Sequence, residues 1–273
     1  MNPNTSPQTA SSSPSITPTT TPSFNPPATS RQNEIHLILQ GKGGTGKSLI
    51  ALLLADYLSE RCSSLRCIDA DPVNRSLGGY KALDPIGLGL RSDGTPDCEA
   101  LTATLAEPQI SCLVDTGSTI FLPLMSYFVQ SRAIETLQAA GKTVFVHIPI
   151  AGDMLAETLN GFRQIMKHLP AGAQAVVWLN EYQAQVQPNG QPFTDLNIYA
   201  EVKDQIRGIV SLPNRSEIFI LTIQDLRKEQ MTFSQGLAGS PRPSTGEPLN
   251  IMVRQRLKII QQEIFEQLGT ANL

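Results

Sequence analysis

Eight consecutive residues, Gly41-Lys42-Gly43-Gly44-Thr45-Gly46-Lys47-Ser48, constrain this chain more than any other stretch. They fit the phosphate-binding pattern G-x-x-x-x-G-K-[ST]. An apolar strand-like run, Ile35-His36-Leu37-Ile38-Leu39-Gln40, precedes them, and a helical pattern from Lys47 to about Arg61 follows. Strand, glycine loop and helix are the context the pattern needs. Glycines let backbone amides turn inward around phosphate oxygens, and the helix N-terminus adds partial positive charge. In that arrangement Lys47 would reach the β- and γ-phosphates, and the Ser48 hydroxyl would ligate magnesium.

From residue 33 onward, strand-like runs alternate with helical patterns. Strands are expected at 35–40, 65–69, 110–115, 143–150, 174–180 and 207–212. Near-continuous apolar runs such as Thr143-Val144-Phe145-Val146-His147-Ile148 imply strands covered on both faces. Helices are expected near 47–61, 72–83, 97–106, 123–140, 153–168, 195–206, 222–236 and 250–268. The alternation predicts a doubly wound, mainly parallel α/β sheet. Pro188-Asn189-Gly190 reads as a hairpin tip or excursion, and residues 239–246 as a loop. Residues 1–32 are rich in Pro, Ser and Thr and poor in aliphatic and charged residues, so a disordered tail is expected ahead of a domain at 33–273.

A net charge of −3 gives no global drive toward nucleic acid or acidic lipid. No apolar run reaches transmembrane length, and the N-terminus lacks a secretory pattern. Cys62, Cys67, Cys98 and Cys112 have no metal-ligand spacing and read as thiols in a reducing, cytoplasmic setting. His36, His147 and His168 are scattered, which argues against a metal site built on histidine.

Ligands of an open parallel sheet bind at the carboxyl ends of its strands. Those positions here carry the glycine loop, then Asp69-Ala70-Asp71-Pro72-Val73-Asn74, then Asp115-Thr116-Gly117, then Asn180. Asp115 suits a carboxylate near magnesium, or a cap. Asp71 suits a residue orienting the water that attacks the γ-phosphate, or an Asp-Pro turn. Asp69 would support the metal shell or a loop. Asn180 offers a donor and an acceptor to a purine edge, or closes a turn.

Lys42-Gly43-Gly44-Thr45-Gly46-Lys47-Ser48 resembles the deviant Walker A motif, K-G-G-x-G-K-[ST], of the ParA/MinD-type ATPases. Ile68-Asp69-Ala70-Asp71-Pro72-Val73-Asn74 resembles the D-x-D-P-x-x-N switch region of the same family. A closer resemblance, over roughly residues 33–273, is to the TraL proteins of conjugal plasmid transfer. It rests on residues 35–44, Asp71-Pro72-Val73-Asn74 with Gly79-Tyr80-Lys81-Ala82-Leu83, Val176-Val177-Trp178-Leu179-Asn180, and Arg254-Gln255-Arg256-Leu257-Lys258-Ile259.

The resemblance implies ATP and Mg2+ as ligands and an ATP-dependent homodimer. Lys42 would cross the dimer to the partner's nucleotide. Asp71 would activate water, Asp69 would be the switch aspartate, Asp115 would serve the magnesium shell and Asn180 would contact adenine. Leu212-Pro213-Asn214 would flank the base. The implied role is a slow switch accessory to conjugative DNA transfer, acting on relaxosome or transfer-apparatus proteins. Asp115-Thr116-Gly117 departs from the D-x-P-P form of partition ATPases. Val253, Leu257, Ile260, Ile264 and Leu268 form a helical stripe expected to cover the core, with membrane binding as the other use. Arg254, Arg256 and Lys258 would be solvated or touch DNA. Two other readings remain: a transferase or ligase of the dethiobiotin-synthase type, and a nucleotide-bound scaffold that does not hydrolyse.

Overall fold

The computed structural model describes residues 31–273. The expected tail lies outside the described residues, apart from Arg31 and Gln32. Both of these are tied to the domain: the Arg31 amide donates to Arg61 O at 2.9 Å, and Gln32 Nε2 donates to Ser63 Oγ at 2.9 Å.

Seven strands form one sheet in the order β3-β2-β4-β1-β5-β6-β7, every pairing parallel. They are β1 (Glu34–Ile38), β2 (Leu65–Ala70), β3 (Ile86–Gly87), β4 (Ser111–Thr116), β5 (Thr143–Ala151), β6 (Gln174–Asn180) and β7 (Ile206–Leu212). The six expected strands are all present. The seventh, β3, is a two-residue edge strand, too short to leave a hydrophobic pattern. Side chains alternate across the sheet, so each interior strand feeds two cores. One core holds Ile35, Leu37, Val114, Val146 and Val177. The other holds Ile38, Leu113, Phe145, Val176 and Trp178.

The first core is covered by α2 (Cys98–Leu105), α3 (Phe121–Ser131), α4 (Ala133–Ala139) and α5 (Leu155–His168), with α6 (Asn197–Val202) beside them. The second is covered by α1 (Lys47–Ser59), α7 (Glu217–Lys228), α8 (Phe233–Ala238) and α9 (Ile251–Thr270). In α9 the expected stripe does turn inward: Leu257, Ile260, Ile264 and Leu268 are buried, and Val253 is half-buried. Helix α9 therefore docks on the sheet. Arg256 is also engaged, its Nε donating to Thr222 Oγ1 at 2.8 Å.

Four expected helices differ. No α-helix forms over 72–83, and only Lys81–Leu83 makes a single 3-10 turn. There the Asp69 carboxylate accepts the Leu77 and Gly78 amides that a helix would have used, while Asp71 only caps Val73 and Asn74. The span 123–140 breaks at Arg132, which adopts φ 50° between α3 and α4. The span 222–236 breaks after α7, and a capping box of Thr232 and Gln235 starts α8. The span 195–206 shortens to α6 and a 3-10 turn. Pro188–Gly190 is a 3-10 turn with no flanking hairpin, and buried Val186 and Phe193 pin the excursion to the domain.

The histidines are not all scattered. Strand order places β1, β5 and β6 side by side and brings His36 and His147 into contact inside the second core. Trp178 Nε1 donates to His147 Nδ1 at 3.0 Å. An indole N–H only donates, so the His147 proton sits on Nε2, which faces His36 Nδ1 at 3.0 Å. His36 therefore carries its proton on Nε2, 3.4 Å from Glu34 Oε2. Burial, with the neighbouring His36, holds the His147 pKa well below 6.5, so this row stays neutral at its centre.

Candidate nucleotide site

The parallel register sets the strand ends level. Ile38 pairs with Asp115, Asp69 with Asp115, Ala70 with Thr116 and Ala151 with Asn180. An open cleft above this edge is lined by Gly43 through Leu49, together with Asp71, Asn74, Ser76, Thr116, Ser118 and Arg227.

The loop after β1 wraps the head of α1. Gly46 takes φ 90°, a conformation that side chains rarely adopt. A Cβ there would also stand 2.7 Å from Asn180 Nδ2. Lys47 is 9% exposed and folds back over the loop, its Nζ donating to Lys42 O at 3.0 Å. Burial lowers the pKa of its ammonium, and the Asp115 and Asp71 charges offset part of that. Lys42 points elsewhere. Its side chain is 42% exposed, its Nζ lies 3.5 Å from Glu157 Oε1 on α5, and it does not line the cleft that its own loop builds.

The acidic residues divide the work. Asp69 Oδ1 accepts the Asp71 amide at 3.0 Å, and Oδ2 accepts the Leu77 and Gly78 amides at 2.8 and 2.7 Å. Its carboxylate therefore organises the 71–78 segment and does not line the cleft, so of its two expected roles the geometry favours the loop over the metal shell. Asp71 does line the cleft. Its Oδ1 accepts the Val73 and Asn74 amides at 3.1 and 3.0 Å, and Oδ2 accepts Asn74 Nδ2 at 2.9 Å. Partial burial works to raise the Asp71 pKa. The bonds from Asn74 and Val73 and the charge of Lys47 outweigh it, so the net shift is downward. A carboxylate can accept about four hydrogen bonds, which leaves Asp71 capacity toward the cleft. Gly117 lets β4 close on Asp71, because a Cβ there would lie 2.6 Å from Asp71 Cγ.

Asp115 is 1% exposed. Burial pushes its pKa up to about 6, opposed first by the hydrogen bond from the Ser76 hydroxyl. Ser48 Oγ donates to Ser76 Oγ at 2.8 Å, and Ser76 Oγ donates to Asp115 Oδ2 at 2.9 Å. Asp115 Oδ1 is buried with no hydrogen-bond partner among the described residues. A hydroxyl and a carboxylate facing a phosphate loop fit magnesium, which binds through few protein oxygens and keeps phosphate and water ligands. No cluster of three or more His, Cys, Asp or Glu side chains suited to a metal occurs among the described residues.

Asn180 lies against the loop. Its Nδ2 donates to Thr45 O at 3.0 Å, and its Oδ1 accepts the Tyr182 amide at 3.1 Å. In this conformation both ends of its amide are engaged within the protein. Leu212 and Pro213 line a separate narrow apolar pocket with Leu49, Leu53 and Tyr182. Four cleft residues escape sequence reasoning: Leu49, Ser76, Ser118 and Arg227. Ser76 sits just two positions beyond Asn74. Arg227, on α7, also approaches Tyr80; nothing in its local sequence marks it.

A doubly wound parallel sheet with a phosphate loop at its carboxyl edge defines an α/β protein of the P-loop NTPase class. No protein-family model matches the chain. Two Escherichia coli proteins, both named Protein TraL, are 35% identical to it over 243 and 244 residues, covering 87% of this chain and 98% of each relative. The chain belongs to the TraL family. Among solved structures, the MinD cell division protein of Aquifex aeolicus overlaps 87% of this chain and 97% of its own, with 14% identity and a TM-score of 0.44. A putative plasmid partition protein from Borrelia burgdorferi B31, bound to AMPPNP, overlaps 88% and 99%, with 13% identity and a TM-score of 0.44. No helix among the described residues is long and apolar enough to cross a membrane.

Proposed function

We propose that this TraL-family protein is a magnesium-dependent ATPase that works as a slow, nucleotide-dependent dimerisation switch in conjugative plasmid transfer. The observation that carries this reading is the contrast between the two loop lysines. Lys47 is buried over its own loop, whereas Lys42 is half-exposed and outside its own cleft. A lysine held that way is free to reach a second subunit. Two triphosphates brought face to face repel each other, and a lysine given by each subunit to the other's nucleotide offsets that charge.

Within one subunit, Lys47 and the loop amides would hold the β- and γ-phosphates. Ser48 and Asp115 would hold magnesium, which supplies charge neutralisation on the phosphates when bound. Asp71, kept ionised by its amide bonds, would orient the attacking water. Asn180, Leu212 and Pro213 would serve the base side once Asn180 exchanges its present partners. The switch would act in the cytoplasm on relaxosome or transfer-apparatus proteins.

Mixing subunits tests the lysine in trans. Lys42→Ala and Asp71→Ala should each bind ATP and each hydrolyse it slowly alone. In a mixed dimer, the site with intact Asp71 receives Lys42 from the Asp71→Ala subunit, so one site regains both groups and activity partly returns. No recovery at any ratio, with mixed dimers verified by size, refutes the proposal.

A further inference from the structure

The chain Ser48–Ser76–Asp115 contains a residue that the phosphate-binding pattern does not require. Each hydroxyl has one proton. Ser48 gives its proton to Ser76, and Ser76 gives its own to Asp115 Oδ2. Ser76 thus stands between the two side chains suited to a divalent cation, and its hydroxyl takes hydrogen-bonding capacity on both that a cation and its ligands would use. The second oxygen of Asp115 points to a ligand independently, being buried in a residue 1% exposed and left without a partner.

Ser76 is also fixed to the Asp69–Asn74 motif by short covalent and hydrogen-bonded links. On one side lies Arg75, held at φ 43°, its amide donating to Asp71 O at 3.0 Å. On the other side lie Leu77 and Gly78, whose amides are held by Asp69. A movement of Ser76 therefore pulls on the turn that carries Asp71 and on the exposed Val73, which is 69% exposed.

We propose that Ser76 is a latch: its hydroxyl holds Ser48 and Asp115 together in the nucleotide-free protein and is displaced, with residues 71–80, when a divalent cation and nucleotide enter. This rests on the proposed magnesium-nucleotide site. The latch ties occupancy of that site to the surface around Val73, the part of the switch segment a partner would read.

The test is Mn2+ titration into ADP-saturated protein by calorimetry, paired with amide hydrogen exchange over 75–80. Ser76→Ala removes a competitor that satisfies Ser48 and Asp115 only in the metal-free state, so Mn2+ should bind roughly tenfold more tightly. Amides 75–80 of metal-free Ser76→Ala should already exchange as fast as those of wild type with Mn2+ and ADP. Ser76→Thr retains the hydroxyl and should behave as wild type in both measurements. Weaker Mn2+ binding by Ser76→Ala would make Ser76 a ligand and overturn the latch, as would unchanged affinity and exchange. Wild-type protein that binds no ADP would remove the nucleotide site itself and the latch with it. Intact wild-type binding with an indifferent Ser76→Ala removes the latch alone.

Discussion

Asp115→Asn should stabilise the metal-free protein at neutral pH while weakening its hold on the metal. The Asp115 carboxyl has its pKa raised from 3.8 to about 6, chiefly by burial. A carboxyl that binds its proton more tightly when folded stabilises the fold while protonated. That contribution is complete below about pH 3.8 and is lost as pH rises through about 6. At 1.36 kcal/mol per pH unit, the ionised side chain costs the fold about 3 kcal/mol above pH 7. An amide removes this cost and still accepts the Ser76 hydroxyl. Its NH2 group, however, takes the place of the unpartnered Oδ1 and stays unpaired, which gives back about 1–2 kcal/mol. The net gain is about 1–2 kcal/mol. For a domain of this size, that is a rise of about 2–8 °C in Tm. Melting in EDTA at pH 5, 6, 7 and 8 measures it. The gap between mutant and wild type should widen from pH 5 to pH 7 and then level off. A mutant that melts below wild type at pH 7.5, or a gap indifferent to pH, refutes the assignment of Asp115 as a costly buried charge.

Other outcomes follow from the same geometry. Lys47→Ala should weaken ATP binding about 10- to 150-fold, since a contact between a buried ammonium and phosphate is worth about 1.5–3 kcal/mol; calorimetry with ATP and magnesium reads this, and undiminished affinity would remove the phosphate-loop reading. Trp178→Phe leaves His147 Nδ1 without its donor in a site 0% exposed. It should cost about 2–4 kcal/mol in urea unfolding through the unpaired nitrogen and the lost ring volume; a cost below about 0.5 kcal/mol would refute the deduced tautomers.

Much of the site was legible in one dimension because its parts are local. A phosphate loop needs a strand before it, a helix after it and glycines between, all within about twenty residues. Lys47, Ser48, Asp71 and Asp115 could be picked out because each follows an apolar run or lies inside a fixed spacing. The same locality misled the reading of 72–83. Its residues can support a helix, but Asp69 accepts the Leu77 and Gly78 amides in mid-span and holds the segment as a chain of turns. A side chain that competes for backbone amides is visible only once its carboxylate has been placed.

The sequence by itself determined that strands and helices alternate, that the strands are buried on both faces, and that a phosphate loop opens the domain. Those properties lie in periodicity and short spacing. The order β3-β2-β4-β1-β5-β6-β7 was decided in three dimensions, and with it everything that depends on neighbours across the sheet. Only that order brings His36, His147 and Trp178 into one hydrogen-bonded row. Only the packing of helices on the sheet carries Arg227 to the cleft, and only the folding of the 71–80 segment sets Ser76 between Ser48 and Asp115. These residues are separated by tens of positions in the chain, and the contacts that select them are made by whole elements, so no local pattern records them.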